Sequence, residues 1–275
     1  MPEGHTLRRL AGELTQAFGG RPVRVSSPQG RFASDAALVD GALCLGAESA
    51  GKHLFVELAG DRFIHVHLGL IGKFDVVTLE PGEPVPLPVG QVRLRLVSTG
   101  STTRGEAYAD LRGATQCDLV GAGRRAEIIG QLGEDPLRLD ADPERVWHRI
   151  SRSGRPIGDL LMDQTVLAGV GNVYRAELLF RHGVSPFRPG RAVDDALWAR
   201  MWADLVPLMR AGVRLGRIVT TRPEDRARRR GPAEREDAHY VYRRTGLPCR
   251  ICGTDVRTEV MAGRNLYWCP SCQAA

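Results

Sequence analysis

An α+β protein of two domains is predicted for this chain on three observations. Its 275 residues leave room for two hydrophobic cores. Short β-like segments punctuated by glycine and proline fill the first half, with no helix alternating between them, whereas beyond residue 143 the apolar period turns helical. Finally, Cys249-x-x-Cys252 and Cys269-x-x-Cys272 stand sixteen residues apart, the spacing of a four-thiolate zinc site. The architecture expected is an N-terminal antiparallel β-sandwich led by one helix, then a helical domain, then a β-hairpin zinc finger.

Composition sets the background. The hydrophobic share of 43% is that of a globular protein. Glu3, Arg8, Arg9 and Glu13 interrupt any apolar leader, and no stretch approaches a membrane-spanning length, so a cytosolic setting without membrane contact is expected. The formal net charge is +6 and arginine far outnumbers lysine. A planar, permanently charged guanidinium suits phosphate.

In chain order, residues 6–18 read as an amphipathic helix. Leu7, Leu10, Ala11, Leu14 and Phe18 fall on one face, with Thr6 as N-cap and Gly19-Gly20 as the stop. Strands are expected around Val23–Val25, Leu54–Leu58, Ile64–Leu68, Val92–Leu96 and Ala107–Ala109. Arg93 and Arg95 alternate with apolar neighbours, which would make one strand face basic. Cys44 and Cys117, isolated among apolar or small residues, read as reduced, buried fillers. His65-x-His67 puts two imidazoles on one strand face, with His53 near; packing or phosphate contact is favoured over metal.

Gln131–Asp142 has the character of a linker. Helices are expected at Pro143–Ser151, Pro156–Asp163, Val173–His182 and Asp194–Gly212. Between them Gln164–Asn172 is a glycine-punctuated turn entering a helix, suited either to a phosphate or to a plain corner capped by Asn172. Residues 217–245 carry a run of arginines that reads as a solvated, mobile segment or as a DNA-facing loop. In the cysteine cluster, Thr258–Val260 and Leu266–Trp268 would form the hairpin, Met261–Asn265 its tip, and Arg264 a donor at that tip. Four thiolates leave no open coordination position, so this zinc is expected to be structural.

The chemistry sits at the start. Removal of Met1 would expose Pro2 as a secondary amine, and a free α-amine titrates near pH ~8, well below lysine. Such an amine can attack a sugar C1′ and leave an iminium ion, and Glu3 beside it could carry protons. Both lie just before a helix N-terminus, whose dipole disfavours a protonated amine and attracts phosphate.

Four motifs then occur in one order: Pro2-Glu3-Gly4-His5-Thr6, Gly51-Lys52-His53-Leu54, Gly169-Val170-Gly171-Asn172-Val173-Tyr174-Arg175, and Gly263-Arg264-Asn265-Leu266-Tyr267-Trp268-Cys269-Pro270-Ser271-Cys272-Gln273. In these the chain resembles the formamidopyrimidine-DNA glycosylase/endonuclease VIII family across essentially its whole length, and is most similar to the actinobacterial endonuclease VIII branch. The resemblance implies a catalytic β-sandwich over residues 1–125, a linker over 126–142, a helix–two-turn–helix domain over 143–245 and the four-cysteine finger over 246–275. It implies base excision from double-stranded DNA with oxidised bases or abasic sites, then strand cutting by β,δ-elimination, by a bacterial monomer associated with the nucleoid. Pro2 would be the Schiff-base nucleophile and Glu3 the proton donor. Lys52, Asn172 and Arg264 would clamp the flanking phosphates, and one zinc ion would be held by Cys249, Cys252, Cys269 and Cys272. Leu70 matches the apolar wedge. The stretch Asp110–Ala114 keeps Arg112 but lacks the aromatic wedge of the purine-specific branch, which points to oxidised pyrimidines. A non-catalytic zinc-finger DNA-binding protein is the alternative reading.

Overall fold

The computed structural model describes residues 2–100 and 105–274. Met1, on whose removal the Pro2 amine depends, lies outside the described residues. The chain divides into two compact units, Met1–Gln131 and Leu132–Ala275.

In the first unit, α1 (Gly4–Phe18) begins two residues earlier than its pattern predicts. Thr6 is not its cap. Glu3 holds the N-cap position, and its carbonyl accepts from Thr6 N at 2.8 Å, closing the first turn. The predicted apolar face of Leu7, Leu10, Ala11, Leu14 and Phe18 is buried. Eight antiparallel strands follow: β1 (Arg21–Ser26), β2 (Leu43–Ala50), β3 (His53–Leu58), β4 (Arg62–His67), β5 (Lys73–Thr78), β6 (Val92–Ser98), β7 (Ala107–Arg112) and β8 (Gln116–Gly121). Their order is β5-β7-β6-β1-β2-β3-β4-β8. β1 is the joint, because Arg21 and Pro22 pair with β2 while Val23 to Ser26 pair with β6. The two four-stranded halves bury Val23, Leu54, Val56, Ile64, Leu94 and Leu96 in one cluster with the leucines of α1.

Several elements escaped the sequence pattern. α2 (Ala33–Val39) lies between β1 and β2, so the first half is not free of helices. It turns only Ala36 and Val39 inward, too few to show a period. β5 and β8 are the edge strands, half exposed and without clean alternation. The register of β2 against β3 shifts between Cys44 and Gly46, which breaks the alternation. Arg93 and Arg95 do alternate as read, yet they present no basic face. Arg95 is buried 3.5 Å from Asp110 and lies over the Tyr108 ring, while Arg93 donates to the carbonyls of Ala114 and Cys117. Cys44 and Cys117 are buried free thiols, pushed up to about 11 and about 12 by burial.

α3 (Ala122–Gly130) occupies the first part of the expected linker. Leu137, within the remainder, packs into the second core. Asp142 caps α4 (Pro143–Ser151) by accepting from Glu144 N at 2.9 Å. α5 (Ile157–Leu160), α6 (Asn172–Arg181) and α7 (Asp195–Leu215) complete the helical part. Val146, Ile150, Leu160, Tyr174, Leu178, Met201 and Leu205 form its core. Two strands, β9 (Arg257–Met261) and β10 (Arg264–Trp268), make the C-terminal hairpin.

The arginine run 217–245 is not a free loop throughout. Glu177, wholly buried on α6, accepts from the backbone N–H of Tyr240, Val241 and Tyr242 at 2.7, 2.8 and 2.8 Å, and from the Thr220 hydroxyl. Tyr240, Val241 and Tyr242 are buried, while Arg228, Arg229 and Arg230 remain exposed. One carboxylate thus anchors both ends of a charged segment that composition alone reads as solvated. Charge-assisted hydrogen bonds of this kind contribute about 1.5–3 kcal/mol each. Glu177→Ala is expected to destabilise the second unit by about 3 kcal/mol or more. Hydrogen exchange should show the amides of residues 240–242 losing protection first; unchanged protection there would refute the anchoring role.

Candidate active site and metal centre

Pro2 and Glu3 owe their place to the docking of α1. Gly20 N donates to Cys44 O at 2.8 Å, and Ala47 N donates to Thr15 Oγ1 at 2.9 Å. The helix therefore runs antiparallel to β2. Going back from Thr15 to Glu3 covers ~18 Å of helix, and going on from Ala47 to Lys52 covers ~16 Å of strand. The two lengths match, so the β2–β3 turn brings Lys52 to the N-terminal end of α1. Glu3 is fully buried there and Pro2 half-buried. His5, in the first turn, is buried, and burial holds its imidazole down at about 4, neutral at pH 7.

Lys52 leads directly into a group of histidines. His53 pairs across the ladder with His67, and Phe55 with His65. The lysine charge helps to lower both His53 and His67, after burial, which is the larger cause for each. His67 Nδ1 lies 3.1 Å from Thr115 Oγ1 and accepts from Gly69 N at 3.2 Å. Beyond it the β4–β5 turn projects apolar residues into solvent: Leu70 is 51% exposed and Ile71 80%. Two adjacent apolar side chains at this turn tip therefore face water. Arg112, at the end of β7, donates to Asp110 at 2.8 Å, to Asp75 at 3.2 Å and to Val89 O at 3.1 Å. Its fork is thus held beside that turn by two carboxylates.

In the second unit, Gly171 is the N-cap of α6 and Asn172 its first residue. Asn172 does not cap the helix. Its side chain is buried, donates to Asn265 O at 2.9 Å and accepts from Arg175. The glycine turn before it is tied by Gln164, which donates to Met162 O and Val170 O and accepts from Gly169 N. The hairpin turn is Ala262-Gly263, both at positive φ (51° and 67°), the two-residue form that suits strand twist. It leaves Arg264 exposed as the first residue of β10, bonded only to its neighbour Gly263 O at 3.1 Å among the contacts described.

Comparison with known proteins places this arrangement. Residues 1–117 match the formamidopyrimidine-DNA glycosylase N-terminal domain, 132–224 the formamidopyrimidine-DNA glycosylase H2TH domain, and 246–275 the zinc finger found in FPG and IleRS. Endonuclease 8 1 of Mycobacterium tuberculosis is 49% identical over 273 residues, which is 99% of this chain and 100% of that one. The chain belongs to the formamidopyrimidine-DNA glycosylase/endonuclease VIII family. The DNA-(apurinic or apyrimidinic site) lyase Nei2 of Mycolicibacterium smegmatis is 34% identical, covering 100% of both chains. The crystal structure of MutM (Fpg) from Thermus thermophilus superposes with a TM-score of 0.74 at 30% identity, over 99% of this chain and 98% of that one.

The family's metal centre fits the residues present. The Sγ atoms of Cys249, Cys252, Cys269 and Cys272 lie within 4.8 Å of one another. Two of the pairs are 3.9 and 3.4 Å apart, close to the ~3.8 Å edge of a thiolate tetrahedron around zinc. Zinc would supply a crosslink there and no open position for chemistry. Two further supports of the hairpin escaped the sequence reading. Arg175, wholly buried on α6, donates to Met261 O at 3.3 Å and to Gly158 O at 3.4 Å. Gly158 lets the tip approach, since a Cβ there would stand 2.9 Å from Met261 Sδ. An arginine three residues after Asn172 on one helix face was the signal available.

Metal analysis is expected to find one zinc per chain, lost in Cys269→Ser together with amide protection of β9 and β10. Arg264→Ala, whose side chain faces solvent, is expected to keep its zinc; loss of zinc there would make the arginine a support of the finger.

Proposed function

We propose that this chain excises oxidised bases from double-stranded DNA, pyrimidines in preference, and cuts the strand by β,δ-elimination through a Schiff base on Pro2. It is a family member whose relatives are a DNA glycosylase and an abasic-site lyase by name. One observation carries the mechanism: a fully buried glutamate at the N-cap of α1, next to a half-buried Pro2, at the helix end that Lys52 reaches. The Glu3 carboxyl is buried one residue from the terminal amine. It is useful for moving a proton at a reacting carbon.

In this reading a flipped nucleotide is held by its phosphates. Glu3 gives a proton to the sugar ring oxygen as the Pro2 nitrogen attacks C1′ and the C1′–O4′ bond breaks, opening the ring. The Pro2 nitrogen then yields its proton to the base, the C1′–N bond to the base breaks with its electron pair, and the Pro2 lone pair closes the C1′=N iminium. The resulting iminium withdraws electrons, so a C2′ proton is lost and the C3′–O bond breaks, releasing the 3′ phosphate. Loss of a second proton drives out the 5′ phosphate. Water hydrolyses the iminium and restores the amine. Lys52, Asn172 and Arg264 supply cations and donors for the flanking phosphates, and Leu70 fills the space left by the base. A non-catalytic zinc-finger protein would give the Pro2–Glu3 pair no chemical role.

Borohydride is expected to trap the protein on abasic DNA, with the adduct mapping to the Pro2 peptide. Blocking that amine by a retained Met1 should abolish trapping, and an adduct on a lysine would sink the assignment. Glu3→Gln is expected to slow base excision by about 100-fold or more while cutting of a preformed abasic site falls far less; equal losses would make Glu3 structural.

The lesion preference rests on the surroundings of Leu70. Asp110–Ala114 offers no aromatic ring to the gap, and Arg112 is held by Asp75 and Asp110. Thymine glycol and 5-hydroxyuracil should be excised about tenfold or more faster than 8-oxoguanine in duplex DNA. Single-turnover rates at one salt concentration measure this, and faster removal of 8-oxoguanine opposite cytosine would overturn it.

A further inference from the structure

Behind the lysine turn, β3 and β4 carry a continuous stack of rings. Phe55 and His65 lie 4.8 Å apart at 14°, His65 and His53 5.1 Å apart at 20°, and His53 and His67 5.2 Å apart at 64°. Arg125 lies over Phe55 and pairs with Glu48 at the far end. Within the stack, His53 Nδ1 and His65 Nε2 are 2.8 Å apart. One of these nitrogens must donate and the other accept.

The remaining nitrogen of His65 decides which. His65 is 1% exposed, and its Nδ1 is buried with no hydrogen-bond partner among the described residues. A buried N–H left without an acceptor is rarer than an unsatisfied acceptor. His65 therefore carries its proton on Nε2 and donates it to His53. His53 Nδ1 accepts, so the proton of neutral His53 sits on Nε2. Neutrality is supported by the surroundings. Lys52, His65 and His67 face His53 and each acts to lower it; at His65, His67 and Arg124 of α3 act to lower the ring, while Asp118 of β8 acts to raise it. Burial is the main cause that holds both rings down at about 4.

We propose that His53 is a neutral hydrogen-bond donor, through Nε2–H, to the DNA phosphodiester that Lys52 attracts, and that His65 is the positioning residue that fixes this tautomer. The proposal rests on the glycosylase reading above and adds a second donor at its lysine turn. A charged lysine supplies attraction without direction, whereas an imidazole locked by its neighbour supplies a directed donor. Because His53 does not gain a proton near neutral pH, its contribution stays constant from about pH 5.5 to 8.

The test uses the full-length, zinc-loaded protein and duplex DNA containing a tetrahydrofuran abasic analogue. In wild type, imidazole nitrogen spectra should show His53 protonated on Nε2 and not titrating over that range. His65→Phe keeps the ring stack and removes the donor. There His53 should no longer be held in the Nε2-protonated tautomer, and affinity at neutral pH should fall about tenfold. His53→Phe should lose a similar factor, His53→Gln should recover part of it through its amide N–H, and the double variant should be no weaker than His53→Phe alone. His53 is half-buried, so its two single variants carry the test if His65→Phe fails to fold. Additive losses, an unchanged tautomer in His65→Phe, or wild-type affinity in His53→Phe would each overturn the proposal. Borohydride trapping by wild type separates the two claims: no trapped adduct defeats the glycosylase reading, whereas trapping with unaltered binding by His53→Phe defeats this inference alone.

Discussion

The first unit depends on how α1 is seated against β2 and β3. In the mechanism proposed, the reacting amine is at the chain end and not on a long side chain, so its position is only as definite as the helix behind it. The seat has a fixed register. The apolar face of Leu7, Leu10, Leu14 and Phe18 sets the rotation, and the bonds from Ala47 to Thr15 and from Gly20 to Cys44 set the translation. A slip of one residue would turn the apolar face by about 100° and move Glu3 out of its buried position. The same seat brings the turn carrying Lys52 to the helix end, so helix and turn are aligned by one packing event.

Buried charge does comparable organising in the second unit. α6 holds Arg175 and Glu177 wholly inside. Neither is an ordinary core residue, and each would be costly if unpaired. Arg175 donates to carbonyls of the hairpin tip and of α5, and Glu177 accepts three successive backbone N–H groups at residues 240–242. A single turn of one helix thus holds two segments that lie beyond α7 in the chain. Apolar packing could press these segments against α6, but only directed bonds set their register.

Much of this was legible beforehand. The α1 stripe, the four cysteines and the helices of the second half rest on periodicity or spacing, which local sequence carries. The edge strands β5 and β8, the short α2 and the bulged β2 were not, because their residues alternate poorly and gain their structure from neighbours far along the chain. Arg93 and Arg95 show the same limit. Their alternation was visible, but the carboxylate and carbonyls that absorb them come from β7 and the segment after it. Asn172 was legible as a residue at a helix start, yet its bond to Asn265 lies across the fold and had no local sign. The histidines were read as packing or phosphate ligands, and only the cross-strand register of β3 and β4 reveals which of them touch.

The hairpin β9–β10 is held at both ends. Its base is gathered by four cysteines, and its tip is bonded to Asn172 and Arg175. A strip clamped only at its root is a cantilever, whose free end swings with every fluctuation of the root. A strip supported at both ends deflects far less and chiefly in the middle. Arg264 sits next to the supported tip, where little motion is left. Its long side chain can still search for a partner, but from a footing that stays in place. Loosening either support would leave the arginine chemically unchanged and mechanically displaced, so the metal and the buried helix residues act as two bearings of one lever.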